Sequence, residues 1–202
     1  IFHRFVFFVL DILACTILPV VIFVGEYDWI FFSKLIFFRK LALIRNGVDT
    51  ACFDTYLKSD AIVYLGRISP EKNIINLIRA ADRFNIMLDL YGTFDNKDLA
   101  FKDQVERMLE RSKNVTWKGT LSYDQVLPTL SQYRIFINPS YSEGLPVSVL
   151  EAASQGLFLI LSDIPQHKIL DMPDVSYINP SDIVFDTQIG LKFNSTANIN
   201  QI

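Results

Sequence analysis

From about residue 60 onward the chain alternates short apolar runs with longer segments whose apolar residues recur at helical spacing. The runs Ala61–Leu65, Ile86–Tyr91, Asn114–Trp117, Arg134–Asn138 and Phe158–Leu161 read as strands, because they are short, β-branched or aromatic, and bounded by glycine or polar residues. Helix-like segments lie between most of them, at about 71–84, 97–112, 123–132 and 146–155. Strands and helices in strict alternation predict βαβ units and a parallel sheet covered on both faces.

The right-handed crossover rule makes an α/β fold with a Rossmann-like, doubly wound parallel sheet the expected architecture. Ligands of such sheets bind beyond the C-terminal ends of the strands. The loops that start near Gly66, Gly92, Lys118 and Pro139 are therefore the ones to search for chemistry.

Before residue 60 the pattern differs. Phe5 to Gly25 contains one charge, Asp11, and approaches the ~20 residues that span a bilayer. Pro19 interrupts that run, and Asp11 would lie near mid-membrane, where a charge costs on the order of 2.5–3.5 kcal/mol. The preferred reading is a helix over about residues 2–17 and a fully buried parallel strand at 20–24, with a membrane-associated helix as the alternative. The phenylalanines at 31–38 suit a packed helix and a membrane-facing surface equally. Arg45-Asn46-Gly47-Val48-Asp49 is a turn signal, and the polar stretch 54–60 marks a boundary. Residues 1–55 then read as a remnant of an N-terminal domain with its linker, and 56–202 as the Rossmann-like domain. In the tail, Ile189–Phe193 reads as a short strand.

Composition narrows the picture. Half of the 202 residues are apolar and a fifth are charged, enough for a sizeable core. A formal net charge of -3 leaves no electrostatic footprint for nucleic acid, so an anionic ligand must be held by a few local groups. Cys15 and Cys52 have neither metal-ligand nor disulfide-framework spacing and read as small buried or half-buried side chains.

Three loops carry candidate chemistry. In Gly66-Arg67-Ile68-Ser69-Pro70-Glu71-Lys72-Asn73, Gly66 gives the backbone room, and Arg67 and Lys72 converge on the sheet edge. A planar guanidinium beside a point charge suits a diphosphate. The competing reading pairs Arg67 with a carboxylate and leaves Lys72 as a solvated helix charge. In Asn138-Pro139-Ser140-Tyr141-Ser142-Glu143-Gly144-Leu145-Pro146, the chain runs into a helix whose start is a natural phosphate site, with Pro146 in its first turn and Gly156 as its stop. Glu151 lies about five residues into that helix, roughly 7.5 Å along its axis. Glu143 and Glu151 could then accept hydroxyl groups from a sugar ring and from a ribose. Otherwise Glu143 is a charge offset by the helix dipole and Glu151 a surface residue. In Trp117-Lys118-Gly119-Thr120, the glycine admits close backbone approach to a nucleobase, and Trp117 reads as core. His3 and His167 read as structural.

Taken together, these blocks resemble the C-terminal domain of retaining GT-B glycosyltransferases of the large family four group. The resemblance rests on Ile44–Asp49 with Phe53, Gly66-Arg67 with Lys72, Trp117-Lys118-Gly119, and Glu143-Gly144-Leu145-Pro146 through Glu151-Ala152, the last matching the E-x7-E motif. It implies that Arg67 and Lys72 grip the diphosphate of a nucleotide-sugar donor, that Glu143 contacts the transferred sugar, and that Glu151 holds the ribose. Gly144 and Leu145 would offer backbone N–H groups, and Gly66, Gly119 and Thr120 would complete the nucleotide site. It further implies transfer with retention, no metal cofactor, and a glycan or lipid-linked acceptor held by an N-terminal domain mostly missing from this chain. The implied location is the cytoplasm, with peripheral contact at the inner membrane face left open. The chain alone is expected to bind donor weakly and to transfer nothing. Gly92 is followed by Thr93-Phe94-Asp95 where the family often has a second glycine, so that loop is expected to meet the ligand differently. A non-catalytic GT-B-like partner subunit is the alternative, against which Arg67, Lys72, Glu143 and Glu151 all count.

Overall fold

The computed structural model describes residues 12–14, 17–35, 40–45, 47–50, 58–95 and 98–185. His3, Cys15, Asn46, Cys52, Phe53, the proposed strand at 189–193, the boundary at 55 and most of the helix expected at 2–17 lie outside them. Two sheets form. The smaller contains β1 (Val20–Phe23) and β2 (Lys40–Leu43), paired in parallel and connected through helix α1 (Glu26–Leu35).

The larger sheet has six parallel strands: β3 (Ser59–Leu65), β4 (Leu88–Tyr91), β5 (Val115–Trp117), β6 (Tyr133–Asn138), β7 (Phe158–Ser162) and β8 (Val175–Ile178). Their order is β5-β4-β3-β6-β7-β8. The chain builds outward from β3 to β5, then returns to place β6 on the other side of β3. That reversal leaves a crevice beyond the C-terminal ends of β3 and β6, the position at which doubly wound sheets hold their ligands.

Strand alternation sends side chains into two cores. Ile62, Tyr64, Leu88, Leu90, Ile135, Ile137 and Ile160 enter one cluster. Val63, Phe136, Leu159 and Leu161 enter the other, on the opposite face. Helix α2 (Ile74–Phe84) covers the first face with Ile74, Leu77, Ile78 and Ala81, a spacing of three and four residues that gives one apolar stripe. Helix α3 (Leu99–Arg111) adds Phe101 and Val105 to the same core, and the Asp98 side chain caps it by accepting from the Phe101 N–H at 2.9 Å. Helix α4 (Tyr123–Leu130) and helix α5 (Val147–Ser154) cover the second face through Leu130, Val149 and Ala152. Gly156 ends α5 at φ 71, as its placement predicts, with the Leu157 N–H returned to Ala152 O. A four-residue helix α6 (Pro165–Lys168) follows β7.

Four expectations need correction. The strand at 20–24 is parallel but not fully buried: Val20, Ile22 and Val24 are about half exposed. Among the described residues β1 has one partner strand and one covering helix, so its second face stays bare. The helix expected from 71 starts as a 3-10 turn (Pro70–Lys72) and is reset by Asn73 in the left-handed region, φ 61, before α2 begins. Pro146 sits at the cap of α5, one residue before its first turn. Trp117 is not core. It is 43% exposed on β5, at the end of the strand order, with its ring edge-on to Phe94 and its Nε1–H donated to Gly92 O at 3.0 Å. Among the described residues no helix is long and apolar enough to cross a membrane.

Candidate functional site

The crevice is bounded by the turns that follow β3, β4, β5 and β6, and those turns are tied to one another. The Gly66 N–H donates to Tyr91 O at 3.0 Å and the Gly92 N–H to Gly119 O at 2.8 Å. Gly92 is buried at φ 145, and a Cβ there would collide with the Gly66 carbonyl oxygen. Backbone therefore passes backbone where no side chain fits. Tyr64 lies beneath Gly66, fully buried, and donates its hydroxyl to Arg67 O at 2.9 Å. Burial, with the nearby Glu143 charge, pushes that phenol well above its ordinary range.

The turns after β3 and β6 are stitched together. Asn73 Nδ2 donates to Pro139 O at 3.1 Å and to Pro180 O at 2.6 Å. The Tyr141 N–H donates to Glu71 O at 2.9 Å, and Asn76 Nδ2 to Tyr141 Oη at 2.8 Å. Asn73 thus ties the end of the 3-10 turn to the turn after β6, while within that turn Glu71 and Lys72, adjacent in sequence, send their side chains to different partners.

Lys72 reaches across to Glu143, with Nζ to Oε2 at 2.6 Å and side-chain exposures of only 16% and 7%. Lys72 is therefore not a solvated helix charge. The other Glu143 oxygen accepts from Ser140 Oγ at 2.6 Å and Asn138 Nδ2 at 3.0 Å. Burial alone would raise this carboxyl, but the hydrogen bonds from Lys72 and Ser140, the Lys72 charge and Asn138 outweigh it and hold Glu143 below the usual carboxylate range. Glu143 is thereby a fixed anion at neutral pH. Behind it, Ser162 Oγ donates to Ser140 O at 2.6 Å, and His167, fully buried, holds Ser162 O through Nδ1 at 3.0 Å. Burial pushes the imidazole down, with the Ser162 hydrogen bond opposing it.

Arg67 follows the competing reading. Its Nη2 meets Glu71 Oε1 at 2.9 Å, and both side chains are half exposed. Glu151 is half-buried on α5, and burial raises its carboxyl above the ordinary range. Gly144 is exposed and Leu145 partly so; no side chain caps α5, which leaves its first N–H groups open to a ligand. Gly119 is at φ 85, and Thr120 is exposed. Sequence reasoning missed Tyr64, Asn73, Asn138 and Ser140. A hydroxyl-bearing ring among the aliphatic residues of Ala61–Leu65 was the available signal for Tyr64, and the Asn-Pro-Ser turn for the last two.

The smaller sheet reaches this crevice. Gly25, at the start of α1, lies against Gly144, since a Cβ there would meet Gly144 O at 3.4 Å. A cavity of about 230 Å3 opens beside it, lined by Glu26, Arg45, Leu145, Leu150, Ile169 and Leu170. Glu26 and Arg45 form an ion pair across the smaller unit, 2.5 Å from Nη2 to Oε2. Among the described residues no group of three or more His, Cys, Asp or Glu side chains could hold a metal ion.

Known proteins agree with this architecture. The chain is 29% identical over 153 residues to the GDP-mannose:cellobiosyl-diphosphopolyprenol alpha-mannosyltransferase of Xanthomonas oryzae pv. oryzae, covering 72% of this chain and 40% of that protein. It is 27% identical over 147 residues to the O-antigen chain mannosyltransferase RfbU of Salmonella typhimurium, covering 71% and 41%. The chain therefore spans about two fifths of the length of these curated relatives. Among solved structures, sucrose-phosphate synthase from Thermosynechococcus elongatus superposes with a TM-score of 0.71 at 17% identity, over 94% of this chain and 51% of that one. Anabaena Alr3699/HepE in complex with UDP-glucose gives 0.71 at 14% identity, over 94% and 57%. At these identities the structures establish the fold, the C-terminal Rossmann-like domain of a GT-B glycosyltransferase. The sequence pattern of the glycosyl transferases group 1 matches residues 53–168, more than half of the 202, and the chain belongs to that family.

Proposed function

We propose that the crevice between β3 and β6 binds the nucleoside diphosphate of a sugar donor, and that the chain is the donor-binding half of a retaining glycosyltransferase. The observation that carries this reading is the Lys72–Glu143 pair, a cation and an anion fixed side by side at the strand-order reversal. Lys72 can face a phosphate without leaving Glu143, which retains Ser140 and Asn138 as further donors. As the sugar departs, negative charge grows on the diphosphate. Lys72 and Arg67 oppose it, and preorganised charge of this kind often lowers a reaction barrier more than any other single effect. Glu143, ionised, accepts hydroxyl groups of the transferred sugar. The N–H groups of Gly144 and Leu145 meet the distal phosphate or the sugar, and Gly66, Gly119 and Thr120 line the nucleotide.

Glu151 accepts the ribose hydroxyls, which requires its carboxylate form. Because burial raises this carboxyl, nucleotide affinity is expected to fall as pH drops through that raised value, and bound nucleotide should lower it. The stability effect runs the other way. A folded-state value above the unfolded one contributes stability that is full below the unfolded value and lost as pH rises through the folded one. Glu151→Gln should therefore raise the melting temperature slightly at neutral pH. It should also weaken nucleotides with an intact ribose more than their 2′-deoxy analogues. Equal weakening of both in a titration would remove Glu151 from the ribose.

Charge neutralisation is assigned to Arg67, Lys72 and the start of α5, so no metal cofactor is expected. Nucleotide affinity measured with and without EDTA should be the same. The Xanthomonas relative puts GDP-mannose first among donors to test, and the two mannosyltransferase relatives together put a glycan or lipid-linked acceptor first among acceptors. The acceptor would approach from the side of the β1–α1–β2 unit, on a protein located in the cytoplasm or at the inner membrane face. Incubation with labelled GDP-mannose and such an acceptor, followed by NMR of the product anomer, tests the reaction: an α product from the α donor supports retention, and a β product contradicts it.

A further inference from the structure

Both cations at the crevice already hold a carboxylate, but the two pairs differ in kind. Glu143 has three donors and little exposure, so it stays where it is. Glu71 has the Arg67 guanidinium as its side-chain partner, at 2.9 Å, and both side chains remain more than half exposed, at 53% and 55%. Only the Glu71 backbone is fixed, inside the 3-10 turn, by the Tyr141 N–H on its carbonyl and by left-handed Asn73 two residues on. A carboxylate on a short tether is thus anchored at the rim of the crevice, with its head on the arginine.

We propose that Glu71 is a built-in rival of the donor's phosphates for Arg67. It occupies the guanidinium while the crevice is empty, yields it to a nucleoside diphosphate, and reclaims it as the diphosphate leaves. This rests on the assignment of Arg67 to the donor diphosphate made above. Carboxylate and phosphate are alternative partners of the same planar fork. An exposed pair of this kind is weak and gives way to a ligand carrying two or three charges. Once displaced, Glu71 stays beside the phosphates as a like charge, held close by its fixed backbone. The consequence is an affinity for the spent nucleoside diphosphate below what Arg67 and Lys72 would give by themselves. Glu71 is then a residue that sets affinity and hastens product release, a step that limits many enzymes.

The test is Glu71→Gln in the full chain, titrated calorimetrically with GDP, UDP, ADP and inorganic pyrophosphate beside the wild type. Glutamine keeps the size and removes the charge. Tightening of about three- to tenfold is expected for pyrophosphate and for the preferred nucleotide, on the scale of one exposed pair plus one like charge. The gain should shrink in high salt, and in an Arg67→Ala background it should fall to the smaller part that comes from removing a like charge beside the phosphates. A loss of affinity, or no change, in a wild type that does bind would overturn the proposal and leave the nucleotide site standing. An undiminished gain without Arg67 would overturn it too, as a general charge effect. No binding by either protein, both folded, would overturn the proposal and the nucleotide site together.

Discussion

Replacing Glu143 by alanine is expected to lower the stability of the fold by about 3 kcal/mol, the lower end for removing one partner of a buried ion pair. The loss has three parts. Lys72, only 16% exposed, is left without its counter-charge. Asn138 Nδ2 loses its acceptor on Glu143, and Ser140 Oγ is left with Asn138 Oδ1, at 2.6 Å. The turn after β6 loses the side chain that ties it to the turn after β3. Glu143→Gln should lose less, because the amide oxygen still accepts from Ser140. Lys72→Met combined with Glu143→Gln should recover part of the loss, since no charge is then stranded. Urea denaturation of the four proteins measures all of this, and a Glu143→Ala loss below about 1 kcal/mol, the scale of an exposed pair, would contradict the buried pair.

Acid dependence adds a signature. A depressed carboxyl contributes stability that is present above the unfolded value, about 4.3 for Glu, and lost as pH falls through the lower folded one. The gap between wild type and Glu143→Gln should therefore be constant at neutral pH and close below about pH 4.3.

Gly92→Ala carries the second large effect. Glycine is required there twice, by φ 145 and by the Gly66 carbonyl that occupies the space of a Cβ. Neither can relax alone, because the Gly92 N–H is committed to Gly119 O and the Gly92 carbonyl to the Trp117 indole. Backbone strain together with overpacking should cost about 3 kcal/mol. At a glycine whose backbone angles suit any residue and whose Cβ position is open, an alanine would instead stabilise by about 0.4–1 kcal/mol by restricting the unfolded chain. Denaturant midpoints distinguish these opposite signs directly. Because Gly92 joins the turns after β3 and β5, any folded Gly92→Ala protein should also bind nucleotide more weakly.

The parallel sheet is legible in the sequence because β3, β4, β6 and β7 are short apolar runs with helical periods between them, and buried strands have few other ways to read. Strand β8 is not legible. Val175–Ile178 is four residues long, sits at the end of the strand order and leaves Tyr177 39% exposed, so it has no continuous apolar run. Trp117 reads wrongly as core for a related reason: β5 is the other end of the sheet, and a large ring there braces the neighbouring turn instead of filling a core.

In the site, residue types are readable and pairings are not. Lys72 and Glu143 lie 71 positions apart, and only the order β3-β6 makes them neighbours. Arg67 and Glu71 are four apart, a spacing that sequence does supply, yet the left-handed Asn73 that ends the 3-10 turn before α2 is a backbone choice no apolar pattern encodes. The N-terminal strand is legible in type and pairing direction. Its bare face is not, since burial depends on what lies beside it.

Whether the crevice beyond β3 and β6 is a nucleoside-diphosphate site is decided by calorimetric titration with UDP, GDP and ADP. Wild type, Lys72→Ala and Arg67→Ala would be measured side by side, with folding of each verified by circular dichroism. Saturable binding with preference for one base is expected of the wild type. Each variant should lose about 1.5–3 kcal/mol of it, the scale of a charge-assisted hydrogen bond. Binding of equal strength in all three folded proteins would refute the assignment, because the diphosphate would then lie somewhere other than between Arg67 and Lys72.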